Sequence, residues 1–310
     1  MFLIFDMDKK ENPMFKYLVR RILLSVLIVW GALTIVFFIL RILPGDPVAL
    51  LLGSTATEEM VYTAREQMGL DQSLFHQYFI FLRQTLTGDF GHSFYFRIDT
   101  STLIAQRYPW TLQLSFVALT FALLMGFGLG LLAGLRPNTW LDRLINSTTL
   151  ILQNLPNFWV GLMLMRLFSG ILGILPTSGS GTPAHLILPA FSLSLGLTGL
   201  LTRLVRTGII EVMSMDYIRT AKAKGLTSRT VISKHALKNM FIPIVTMIGL
   251  QLGALLGGAV VTETVFAWPG IGRLFVDAVL NRDYSVVQAA TVLIAVTFVV
   301  LNLIVDLIYA

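Results

Sequence analysis

Apolar residues in this chain come in long unbroken runs, not at the alternating spacing of a strand or in the one-sided stripe of a surface helix. Residues 22–40 contain no charged side chain, and Arg20-Arg21 and Arg41 bracket them. Nineteen such residues suffice to cross a bilayer as an α-helix. The run is too long for the core of a signal peptide and no small-residue cleavage site follows it, so it reads as an uncleaved first span. Five more uncharged runs follow, at 108–135, 144–165, 167–202, 239–262 and 284–305. The run at 167–202 is broken by Pro176-Thr-Ser-Gly-Ser-Gly-Thr-Pro183. It therefore closes a third span, forms a tight outer loop and supplies a fourth span at 186–202. The pattern predicts an all-α integral membrane protein with six transmembrane helices.

Two polar stretches interrupt the pattern. Residues 44–107 form a long insertion between the first two spans, with helical character over 57–68 and 73–86. A structureless loop of that length is uncommon, so the insertion is expected to fold as a small cap. Residues 216–225, Asp-Tyr-Ile-Arg-Thr-Ala-Lys-Ala-Lys-Gly, lie between the fourth and fifth spans. Asp216 suits an N-cap, Gly225 suits the left-handed position that closes a helix, and Lys222 and Lys224 suit the negative end of its dipole. About nine residues give a rod of roughly 13 Å, too short to span and shaped for docking. The chain thus divides into a tail and first span (1–43), the insertion (44–107) and a core (108–310) carrying the docking helix. Met14 offers an alternative start to Met1.

Composition agrees. Of 310 residues 55% are hydrophobic and 13% charged, about half the charged share of a soluble domain. There is no cysteine, hence no disulfide, thiolate ligand or thiol nucleophile. The net charge of +6 reflects topology, not nucleic-acid binding. With the N-terminus inside, fifteen Lys and Arg fall on the inner side and six outside, which the positive-inside rule favours. Both termini and the docking helix are then cytoplasmic. The insertion, with seven acidic and four basic residues, is external, and with its aromatic side chains it is expected to face a soluble partner.

No phosphate-binding loop exists, so the chain is not expected to bind ATP itself. His76, His92, His185 and His235 are scattered, without the spacing of a metal pair, and no hydrolytic constellation appears. The polar residues of the third span carry more information. Asn146, Gln153 and Asn157 recur at seven and four, on one helix face, with Asn154 beside them and Pro156 predicting a kink. Intramembrane polar groups either bond neighbouring helices or line a polar path. Gly126, Gly130 and Gly134, and Gly249, Gly253 and Gly257, mark close-packing faces. Arg166 either snorkels to the outer interface or faces the path.

Several stretches resemble one family in its own order: "LTGDFGHSF" (86–94), "RYPWTLQLS" (107–115), "QNLPNFWVG" (153–161), "DYIRTAKAKGL" with "HALKNMFIPIV", and "TETVFAWPGIGRLFVDAVLNRDY" (262–284). They are similar to the permease subunits of ABC importers in the dipeptide/oligopeptide/nickel branch, over nearly the whole chain from Met14. The family's general Glu-Ala-Ala motif is replaced here by Arg219, Thr220 and Ala221, the variant of this branch, and its proline is displaced to Pro243. The resemblance implies a type I importer permease fold in a bacterial inner membrane. It implies a second homologous permease, two ATPase subunits that bind ATP and magnesium, and an external binding protein. Asp216, Tyr217, Arg219, Thr220, Ala221, Lys222, Lys224 and Gly225 would form the helix that couples to an ATPase. Asn146, Gln153, Asn154 and Asn157 are candidates for the translocation path. Relatives in this family continue past the position of Ala310 with a charged tail.

Cargo stays open between dipeptides, oligopeptides, glutathione-like peptides and chelated nickel. A different class, a secondary transporter driven by an ion gradient, would require buried acids in mid-span. Glu263 and Asp306 lie at span ends.

Overall fold

The computed structural model describes residues 13–42, 48, 57–67, 69–227 and 230–309. The N-terminal tail and the start of the insertion, including Asp46, lie outside them. Every regular element among the described residues is a helix; turns and irregular segments join them, and one isolated bridge pairs His92 with Asp99.

Helix α1 (Pro13–Ile42) carries the first span, and α2 (Glu58–Gln67) and α3 (Leu74–Thr87) belong to the insertion. Ser73 caps α3 by accepting from the backbone of His76, and Gly88 closes it with φ +71°. Helix α4 (Thr100–Leu135) begins eight residues before its apolar run and passes through Pro109. The boundary drawn at 107/108 therefore falls inside one continuous helix.

The third span is not one kinked helix. It is α5 (Trp140–Asn154), an extended break at Leu155 and Pro156, then α6 (Asn157–Leu164) running into a π-helical turn, Met165–Ile171. Proline cannot donate to the ladder and forces the residue before it out of the helical region, so the path of the chain changes there.

Helix α7 (Ala184–Ser214) extends twelve residues beyond the predicted fourth span. After one extended residue, Met215, the chain enters α8 (Asp216–Ala223). A π-helical segment, Val231–Ala236, leads into α9 (Leu237–Val265), which bends by 50° between its Pro243–Gly253 and Leu255–Val265 parts. Helix α10 (Ile271–Leu280) and the long α11 (Tyr284–Tyr309) complete the chain. Among the described residues, four helices (α1, α4, α7 and α11) are long and apolar enough to cross a membrane, and bent α9 makes a fifth. The broken α5–α6 pair accounts for the remaining apolar run.

The core is centred on α7 and α4, with Leu114, Ala118, Ala122, Leu193, Leu197 and Leu201 buried together. Gly126, Gly130 and Gly134 form the seam. A Cβ on them would stand 2.6 Å from Leu201 Cβ, 2.7 Å from Val205 Cβ and 2.9 Å from Ile209 Cβ respectively. Only hydrogen at these positions lets the backbones approach so closely. In the second glycine stripe, Gly249 and Gly253 meet Val305 and Phe298 of α11, whereas Gly257 has open space.

Candidate functional site: a polar cavity, a docking helix and the contacts that hold them

The polar residues of the broken span part company. Gln153, at the end of α5, and Asn157, at the start of α6, line one cavity of about 240 Å³ with Leu193, Gly196 and Leu197 of α7 and Gln251 of α9. The Gln153 side-chain oxygen is buried without a protein partner. Asn154 is exposed, its amide donating to the Leu150 carbonyl. Asn146 does not line the cavity. Its amide donates to the Asp142 carbonyl at 2.8 Å and to the Asp142 carboxylate at 2.6 Å. The α-helical spacing that grouped Asn146 with Asn157 is lost at Pro156. Gln251, which sequence reasoning passed over, is an amide in the middle of the apolar run at 239–262, and that was the available signal.

Asp142 sits in the first turn of α5, where Thr139 accepts from its backbone. It is 2% exposed and holds Arg206 of α7 in a two-point pair, Nε at 2.5 Å and Nη2 at 2.8 Å. The Asn138 N–H also donates to it, at 2.9 Å. The hydrogen-bonded guanidinium holds its carboxyl well down, at about 2. The broken span is thereby anchored to α7.

Helix α8 has two faces. Ile218 and Ala221 are buried with Val231 against Val212 and Met213 of α7. Asp216, Tyr217, Arg219, Thr220 and Lys224 are exposed. Ala221 is thus a packing residue of the docking helix and not part of its outer surface. Asp216 is not the N-cap. Met215 holds that extended position, its carbonyl accepting from Ile218, and Asp216 occupies the first helical position with Arg219 3.5 Å away. An acid there still favours the positive end of the dipole. Gly225 closes the helix as expected, with φ +77°, and the Leu226 N–H reaches back to the Ala221 carbonyl at 3.3 Å, the six-to-one bond of a Schellman motif.

The stretches that looked most specific in the sequence bind one another. Glu263 is completely buried. It accepts from the Thr111 hydroxyl at 2.5 Å and from the backbone of Arg273 at 3.0 Å and of Gly272. Its carboxylate therefore satisfies the free N–H groups at the start of α10 from outside the helix. The Thr111 hydroxyl accepts from the Ile271 N–H at 2.8 Å, and the Trp268 indole donates to the Trp110 carbonyl at 2.9 Å. Ser93 in the insertion donates to Asp283 at 2.5 Å, and Asp283 caps α11. Glu263 is a buried acid, but its oxygens are committed to structure. Tyr78, in the insertion, turns inward to Thr34 and Phe37 of α1. Arg166 is exposed within the π-helical turn.

No three His, Asp or Glu side chains converge as metal ligands among the described residues. His92 pairs with Asp99, and His185 bonds Thr182.

Residues 126–310 match the family described as "Binding-protein-dependent transport system inner membrane component", and residues 14–115 match its N-terminal counterpart. The glutathione transport system permease protein GsiC of Escherichia coli K12 is 40% identical over 297 residues, covering 96% of this chain and 97% of that protein. GsiC of Salmonella paratyphi A is 41% identical over the same coverage. An inward-facing structure of the MetNI methionine ABC transporter superposes with a TM-score of 0.57 at 20% identity, over 66% of this chain and 94% of that one, which speaks to the fold. The chain belongs to the inner membrane components of binding-protein-dependent transport systems, as a permease subunit of an ABC importer in the peptide/oligopeptide family.

Proposed function

We propose that this permease passes small peptides, glutathione-sized among them, through a path that includes the cavity of Gln153, Asn157 and Gln251. The observation carrying this reading is the cavity itself. Three uncharged amides converge at a break in one span, beside the bend of another, in otherwise apolar surroundings. Amides can exchange hydrogen bonds with peptide groups in passage, and they impose no charge preference. Broken helices are tolerated in a membrane where they border a cavity.

The exposed face of α8 (Asp216, Tyr217, Arg219, Thr220, Lys224) docks on an ATPase subunit, and Gly225 fixes the angle of the helix. ATP and magnesium bind in two such partner subunits, and this chain contributes no ATPase of its own. A second homologous permease completes the pore, and both termini are cytoplasmic. Conformation and nucleotide state are then reciprocally coupled.

The chain has no cysteine, so single cysteines at 153, 157 and 251 in the assembled transporter give a clean test. Each should react with a water-soluble thiol reagent, from outside with ATP trapped and from inside without it. Cysteine at 146 should stay protected in both states. Silence at all three cavity positions rejects this path.

A further inference from the structure

A second cavity, of about 270 Å³, lies away from the path, where the outer end of α1 meets α3 and the start of α11. Arg41 closes the apolar run of α1 and lines it. Its Nε donates to Gln77 at 2.8 Å, and its guanidinium lies 3.6 Å over the Phe37 ring and 5.6 Å from that of Tyr284. Among the described residues no carboxylate pairs with it. Gln288 lines the same cavity, is more than nine-tenths buried, and its amide nitrogen has no hydrogen-bond partner. A guanidinium without a counter-ion and an unused buried donor share one space. Both ask for an oxyanion.

The same three helices enclose an apolar groove of about 480 Å³, lined by Val26, Val29 and Leu33 of α1, Leu82 of α3, and Val296 and Val299 of α11. Along α1 the groove begins eight residues from Arg41, and along α11 eight residues from Gln288. On each helix that is about 12 Å. Helix α3 borders both spaces, with Ile80, Phe81 and Gln84 on the polar cavity and Leu82, Thr85 and Leu86 on the groove. Arg41 ends the uncharged run 22–40, so the polar cavity stands at the boundary of the first span and the groove lies within it. Phe75, Phe79 and Leu86 on α3 are 67–88% exposed, as suits a helix resting in the membrane interface.

We infer that this cleft binds one phospholipid, its phosphodiester against Arg41 and Gln288 and an acyl chain in the groove between α1 and α11. A free anion would fill only the polar cavity, and a hydrocarbon only the groove. An amphiphile with an anionic head fits both at the depth where the bilayer supplies one.

The test is native mass spectrometry of the assembled transporter after detergent exchange. Palmitoyl-oleoyl phosphatidylglycerol and palmitoyl-oleoyl glycerol are supplied separately, and inorganic phosphate and glutathione serve as competitors. One phosphatidylglycerol per copy of this chain should be retained, and the uncharged diacylglycerol should not. Arg41→Gln should cut occupancy about tenfold or more, the worth of a charge-assisted bond, and Gln288→Leu should cut it as well. Val29→Trp, which fills the groove and leaves the polar cavity intact, should also abolish retention. The inference is overturned if Val29→Trp retains the lipid, if occupancy is unchanged in Gln288→Leu, or if phosphate or glutathione displaces the lipid at equal concentration. Should Arg41→Gln fail to assemble, the other two variants decide. Cysteine accessibility at 153, 157 and 251 reads the path independently of either result.

Discussion

The Thr111 hydroxyl donates to the Glu263 carboxylate across 2.5 Å, although 152 residues separate them in the chain. That bond joins α4 to the end of α9, and through Glu263 to the first turn of α10. Removing the carboxylate leaves two backbone donors, those of Gly272 and Arg273, without their acceptor at a fully buried position. Glu263→Ala should lower the unfolding temperature of the purified complex sharply, at about 1–3 kcal/mol for each buried group left unpaired. Glu263→Gln keeps the shape and should cost less. Equal melting of wild type and Glu263→Ala would refute this capping role.

Asp142 and Arg206 should behave as a unit. Asp142→Ala strands a mostly buried guanidinium and should cost about 3–5 kcal/mol, while Asp142→Leu with Arg206→Leu should recover much of the loss. A double-mutant cycle on thermal unfolding measures the coupling. The folded carboxyl sits at about 2, below its ordinary 3.8. Its contribution to stability is therefore complete above pH 3.8 and is lost as pH falls toward 2. Between pH 5 and 8 this pair should add no pH dependence.

The glycine seam predicts a contrast within one helix. A methyl at Gly130 would meet the Thr202 carbonyl at 2.7 Å, whereas Gly128 has nothing within 4 Å. Gly130→Ala should push α7 off α4 and destabilise the protein by about 1–3 kcal/mol. Gly128→Ala should be neutral or gain up to about 1 kcal/mol of helix propensity. Melting temperatures of the two variants check this directly.

At Gly225 the penalty is conformational and not steric, because no atom lies near its missing side chain. Gly225→Val forces a β-branched residue into a left-handed position, at about 1–2 kcal/mol, and should weaken the coupling of ATP hydrolysis to uptake. Gly225→Asn tolerates that position and should keep most transport. Assays of uptake and binding-protein-stimulated ATPase would show the difference, and full coupling in the valine variant would remove Gly225 from the coupling element.

The six apolar runs were legible because charge exclusion in a bilayer acts residue by residue. Pro156 announced an irregularity, but whether it gives a kink or a full break depends on what packs around the freed backbone. The role of Asn146 was hidden for a related reason. Its partner Asp142 is near in sequence, but the group that makes that acid matter, Arg206, arrives from a helix 64 residues away. The motif stretches were easy to recognise and hard to interpret. Ser93 with Asp283, Trp110 with Trp268 and Thr111 with Glu263 are bonds between distant segments, and a linear reading does not disclose which half of a motif holds which. Gln251 was overlooked because a single amide in an apolar run gives no periodicity to measure.

Only Met215 separates the 31-residue α7 from the docking helix, and α8 is packed onto the last turn of α7 through Ile218 and Ala221. At 1.5 Å per residue α7 is a rod of about 46 Å, as long as the bilayer is thick. A tilt of about 5° imposed at its inner end displaces the outer end by about 4 Å, close to the width of a peptide backbone. If α8 docks on a nucleotide-binding partner as proposed, motion of that size would need no amplification elsewhere to reach the far leaflet, because α7 runs as one continuous helix from its contact with α8 to the wall of the cavity.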